Sequence, residues 1–249
     1  MPLELPTLRY PLGSLRGIPV EAQASLLLLA GMLALRQPGF FTVATVFVLL
    51  LLSVFLHEAA HAAVGLWRGY EPNRLSLHAF GGLSVLKSPP TSLRDDLLIG
   101  LAGPLTSLAF GALLLLPRTF LPIASDGMTG ALRTAGFLNL YWGAFNLLPA
   151  FPMDGGRLLY RVLARRSPPL KAVLTALRVS EIVIFLLGLS SLLALHIGGI
   201  LFAGYLYLLR LTVTPGLLQE AREVADSALV SPPPYAPRHR PQRVDVTKL

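Results

Sequence analysis

Two histidines and a glutamate interrupt an otherwise apolar stretch, Leu56-His57-Glu58-Ala59-Ala60-His61. His57 and His61 are four residues apart, so on a helix they share a face and can grip one metal ion. Glu58 follows the first histidine, where it can act as general base on a water at that metal. A charged residue at the centre of a membrane helix costs about 2.5–3.5 kcal/mol on insertion scales, so ionisable groups placed there argue for a function. The competing reading is two packed histidines with a chance glutamate between them, an arrangement better suited to a soluble core than to an apolar span.

A catalytic zinc takes three protein ligands and keeps a fourth position for water. The chain has no cysteine, which excludes thiolate sites, disulfides and a cysteine nucleophile. Apart from the pair, the histidines are His78, His196 and His239. Asp154 lies in Asn146-Leu-Leu-Pro149-Ala-Phe-Pro152-Met-Asp154-Gly155-Gly156-Arg157. Pro149 and Pro152 break a helix there, and irregular backbone at membrane depth is tolerated where it is buried or lines a cavity. Asp154 is the favoured third ligand. Two alternatives stand beside it: Asp154 as the cap of a helix beginning near Gly155, and His78 as the ligand, although a hairpin surface suits His78 better.

The elements that must position these groups are membrane helices. Hydrophobic residues make up 53% of the 249 and charged residues 14%, against about 25% charge in soluble domains. Six apolar segments are expected: Ala22–Leu35 extended by Ile18–Val20, Phe40 to about Trp67, Leu97–Leu116, about Ala131–Leu148, Ile182–Leu195 and Ile197–Val213. The first, fifth and sixth read as free of charge, and the last two as a tight helical hairpin. Phe40–Leu56 is about 25 Å of helix, which puts His57 past the midplane of an about 30 Å hydrocarbon core. Six spans place 18 of the 21 Lys and Arg residues on one face, all but Arg36, Arg118 and Arg133. That bias makes both termini cytoplasmic. It also accounts for the net charge of +8 without nucleic acid. Between the second and third segments, alternation and Gly81-Gly82 suggest a small β-hairpin. Thr214–Leu229 is expected to form a short amphipathic helix, and the Pro-rich stretch from Ser231 to be disordered.

Together the motifs resemble the site-2 protease family of intramembrane zinc metalloproteases. H-E-x-x-H stands at 57–61 inside a span, and N-x-x-P-x-x-x-x-D-G at 146–155. Gly81-Gly82 lies between them, with Gly103-Pro104 in the third segment. The likeness covers about Gly17–Val213. It implies that His57, His61 and Asp154 bind one zinc ion per chain and that Glu58 activates water. It implies that Asn146 helps hold the substrate peptide or the transition state, and that Gly81 and Gly82 lie in a hairpin clamping substrate in extended form. Gly103-Pro104 would be a packing or kink element.

The expectation is an all-α, six-span bundle with a small β-hairpin insertion between spans two and three, over residues 18–213. Residues 1–17 and 214–249 would be cytoplasmic flanks. The expected activity is that of a zinc endopeptidase acting on transmembrane protein substrates in the lipid bilayer, in a bacterial cell membrane. The alternative is a membrane metal-binding or transport protein. Glu58 separates the two, because a pure binding site has no need of a carboxylate beside the ligands.

Overall fold

The computed structural model of the chain describes residues 9–15, 17–23, 40–78, 81–88, 90–116 and 126–230. The elements are β1 (Arg9–Leu15), β2 (Ile18–Gln23), α1 (Phe40–Trp67), β3 (Pro72–His78), β4 (Gly81–Leu86), α2 (Leu93–Leu115), α3 (Asp126–Asn146), α4 (Asp154–Ala164), α5 (Pro169–Leu193) and α6 (Ile197–Val230). They form two compact units. One lies within Pro6–Pro89 and Leu101–Phe145, the other within Pro90–Gly100 and Asn146–His239.

In the first unit, α1 has 28 residues, about 42 Å of helix, more than a hydrocarbon core needs. Its buried stripe runs Val46, Ser53, Val54, His57, Glu58, His61, Ala62, Gly65. Val48 and Leu52 face outward, as they would toward lipid. The helix ends at Gly69, whose φ of 89° is left-handed. There the Tyr70 N–H donates to the Gly65 carbonyl and the Gly69 N–H to that of Leu66, both at 2.9 Å. This pair of bonds closes the helix and turns the chain into β3.

The strands make one four-stranded sheet in the order β1-β2-β3-β4. The β1–β2 and β3–β4 pairs are antiparallel. β2 and β3 run parallel, with Val20 opposite Leu75 and Ala22 opposite Leu77. Val20, Leu75 and Leu77 pack on Val54 and Ala62 of α1. The expected hairpin is therefore present, but as half of a larger sheet. Ile18–Gln23, expected to lengthen the first span, is strand β2 instead. A short apolar run does not distinguish strand from helix, and here the partner strand lies beyond α1. The remainder of that expected span, and the tail from Ser231, lie outside the described residues.

α2 starts at Ser92, whose Oγ accepts the Asp95 N–H at 3.1 Å, a side-chain cap. α2 and α3 pack through glycines. A Cβ added at Gly111 would lie 2.9 Å from the Gly136 carbonyl oxygen, and one at Gly143 would lie 2.9 Å from that of Pro104. Small residues let membrane helices approach this closely.

In the second unit α4, α5 and α6 enclose a core of Phe151, Tyr160, Val173, Leu177 and Ala221. α5 and α6 form the expected hairpin. α6 runs on to Val230, so the amphipathic tail helix is its continuation. Arg210, in a segment expected to be uncharged, is buried in α6 and pairs with Glu181 of α5 at 2.7 Å. Four helices among the described residues are long and apolar enough to cross a membrane: α1, α2, α5 and α6 over Ile197–Asp226. α3 has the length, 21 residues, but Arg133, Asn139 and Asn146 dilute its apolar character. Six spans are thus an expectation that these helices meet only in part.

Candidate metal centre

His57 and His61 come together as their spacing requires. Their Nε2 atoms are 3.2 Å apart, and both rings are buried, 3% and 7% exposed. Two nitrogens each about 2.0–2.1 Å from a tetrahedral zinc sit about 3.3 Å apart, so the pair converges at the separation one ion requires. His57 Nδ1 lies 3.0 Å from the Ser107 hydroxyl of α2, which leaves Nε2 facing its partner. Glu58 is 2% exposed, and its Oε1 lies 3.9 Å from His57 Nε2. The carboxylate is thus beside the nitrogen pair without belonging to it.

Gly103 supplies the space on the far side. A Cβ built there would fall against His61 Nε2 and 2.6 Å from His57 Nε2. Any other residue would fill the volume toward which the two nitrogens point. This cradle, the nitrogen separation and the all-nitrogen and oxygen donor set fit a zinc ion. The family resemblance implied only a packing or kink role for Gly103. Sequence reasoning missed Ser107 altogether, because no spacing rule connects residues on two different helices. It also missed Asn139, which is fully buried and accepts a hydrogen bond from Ser53, one turn before His57.

Asn146 and Asp154 belong to the second unit, at the two ends of the turn between α3 and α4. The turn is short and internally bonded: the Met153 N–H donates to the Ala150 carbonyl at 3.0 Å. Its Phe151 N–H donates to the Ser180 hydroxyl of α5 at 2.9 Å. Asp154 is the first residue of α4, and the cap position is Met153. The capping alternative therefore fails. A carboxylate in the first turn is still favoured by the helix dipole. Gly155 and Gly156 are required by crowding: a Cβ on Gly156 would lie 2.6 Å from the Phe151 nitrogen, and one on Gly155 would strike the carbonyls of Leu147 and Leu148. The D-G-G run is thus how the turn folds back on α4 and presents Asp154.

The other candidates fall elsewhere. Gly81 and Gly82 open β4, opposite His78 and Leu77. The side chain of His78 is outside the described set, as is all of His239. His196 is exposed, and its Nδ1 accepts the Gly199 N–H at 3.0 Å at the start of α6. That bond gives it a local capping task.

The chain is similar to known zinc metalloproteases. The family model described as Peptidase family M50 matches residues 121–188, a stretch that holds Asn146 and Asp154. The chain is 34% identical over 212 residues to the zinc metalloprotease MJ0392 of Methanocaldococcus jannaschii, covering 84% of this chain and 59% of that protein. It is 34% identical over 142 residues to stage IV sporulation protein FB of Bacillus subtilis, covering 56% of this chain and 47% of that one. The chain thus spans about half the length of these curated relatives. A solved structure, the site-2 protease from Methanocaldococcus jannaschii, superposes with a TM-score of 0.65 at 31% identity, over 83% of this chain and 95% of that one.

Proposed function

This chain belongs to the site-2 protease family, and from that premise we propose that it is an intramembrane zinc endopeptidase cleaving the membrane-spanning segments of protein substrates. One observation carries the reading. Two imidazole nitrogens converge at 3.2 Å with a buried carboxylate beside them, inside a helix apolar enough to cross a bilayer. His57 and His61, with Asp154 as third ligand, would hold one zinc ion.

When bound, zinc supplies a lowered water pKa and an electrophile for the scissile carbonyl. Glu58 takes the proton of the attacking water as its oxygen bonds to the carbonyl carbon. As the C–N bond breaks, Glu58 returns that proton to the leaving amine. Ser107 and the neighbouring helix backbone hold the His57 ring in place. Asn146 holds the peptide being cut. Gly81 and Gly82, at the start of an edge strand without side chains, allow a substrate backbone to lie close in extended form.

The substrate shares the bilayer with the enzyme. Both termini face the cytoplasm of a bacterial cell, with the basic residues on that side, so the positive charge serves topology rather than nucleic acid. The test is cleavage of a model single-span protein by the purified chain in detergent or vesicles. Cleavage should stop with a chelator and return with zinc. Persistence of cleavage in chelator, or a chain that binds zinc without cutting any single-span substrate, would refute the reading; the second result favours a metal-binding or transport protein.

A further inference from the structure

We infer that Ser107 is a positioning residue that fixes which nitrogen of His57 faces the metal, an inference resting on the zinc reading above. Ser107 is 1% exposed, and its hydroxyl lies 3.0 Å from His57 Nδ1. His57 Nε2 points instead at His61 Nε2, 3.2 Å away. A neutral imidazole carries one proton, on one nitrogen or the other. With Nδ1–H donating to Ser107, the lone pair sits on Nε2, in the space that Gly103 leaves open.

Ser107 follows Gly103 by four residues on α2, so one face of one turn does both jobs. The glycine clears the volume and the serine aims the ligand into it. Partners of this kind commonly set metal affinity by 10–100-fold. The imidazole is also stiff once its outer nitrogen is held, so less ordering remains when the ion arrives.

Zinc affinity, measured by competition with a chromophoric chelator in purified detergent-solubilised protein, tests this directly. Ser107→Ala should weaken zinc binding about 10–100-fold and alter the visible spectrum of the cobalt-substituted protein. Ser107→Thr, which keeps the hydroxyl, should restore both. Ser53→Ala removes another buried hydroxyl, one bonded to Asn139 rather than to a histidine, and should leave zinc affinity unchanged. Wild-type affinity and spectrum in Ser107→Ala, or an equal loss in Ser53→Ala, would overturn the inference while leaving the zinc reading intact. Should the Ser107 variants fail to fold, 15N-histidine spectra of the zinc-loaded wild type decide it. His57 should carry its proton on Nδ1, and zinc bound at Nδ1 would overturn the inference. Failure of the wild type to bind zinc at all would overturn both readings.

Discussion

Glu58 and its flanking histidines were legible from sequence because a four-residue spacing on a helix is a geometric statement in itself. The structure adds where each side chain sits. Glu58 lies 3.9 Å from His57 Nε2, adjacent to the donor pair and outside it. Glu58→Gln keeps the volume and removes the proposed base, so zinc content should stay near the wild-type level while single-span cleavage falls about 10²–10⁴-fold. Metal analysis and a cleavage assay on the same preparation check this; near-normal cleavage would remove Glu58 from the mechanism. Gly103 was visible as a residue but not as a role, since the room it makes is defined by imidazoles on another helix. Gly103→Ala puts a methyl 2.6 Å from His57 Nε2, a contact that only movement of the rings can relieve. Zinc occupancy should drop sharply in a protein that still folds, read by metal analysis beside thermal unfolding; full occupancy would mean the nitrogens face another way.

Among the elements, the long helices were readable from their apolar runs, and the break between α3 and α4 from Pro149 and Pro152. The sheet was not. β2 is six residues, Ile18–Gln23, and its apolar members look like the start of a span. Only the parallel ladder to Leu75 and Leu77 makes it a strand, and a nonlocal pairing leaves no local periodicity to find. The close packing of α2 on α3 was equally hidden, because a glycine in an apolar run reads the same whether it faces lipid or a neighbouring backbone. Gly111 and Gly130 separate the two cases. Gly111→Ala must push against the Gly136 carbonyl oxygen at 2.9 Å, whereas a Cβ at Gly130 meets nothing within 4 Å. Overpacking costs typically about 1–3 kcal/mol, while an open helical glycine gains up to about 1 kcal/mol as alanine. Thermal unfolding in detergent should therefore show Gly111→Ala less stable than wild type and Gly130→Ala equal or more stable. The reverse order would mean that α2 and α3 do not meet at Gly111.

At the scale of the whole chain, the sheet constrains how the membrane is crossed. β2 and β3 are hydrogen-bonded neighbours, and paired strands lie on one side of a bilayer, whose core leaves no room for an open sheet. The chain between Gln23 and Pro72 therefore crosses an even number of times. α1 is long and apolar enough to be one crossing, and the other is the span expected from sequence alone over Ala22–Leu35. With the orientation proposed above, the sheet would lie in the cytoplasm. From there to the end of α6 the count depends on α3. With α2, α3, α5 and α6 all crossing, α6 ends on the sheet's side; without α3 it ends on the opposite side. The absence of native cysteine makes the question accessible, because each introduced thiol is unique. Tyr10→Cys, Ser88→Cys and Arg222→Cys replace exposed residues, and Gln37→Cys probes the opposite end of α1. In intact cells an impermeant maleimide should label position 37 alone, and positions 10, 88 and 222 should react only after lysis. Labelling of position 222 in intact cells, with 10 and 88 protected, would give five crossings and take α3 out of the membrane. Labelling of 10 and 88 on opposite sides would break the parallel β2–β3 pairing, and with it the sheet that packs on Val54 and Ala62 of α1.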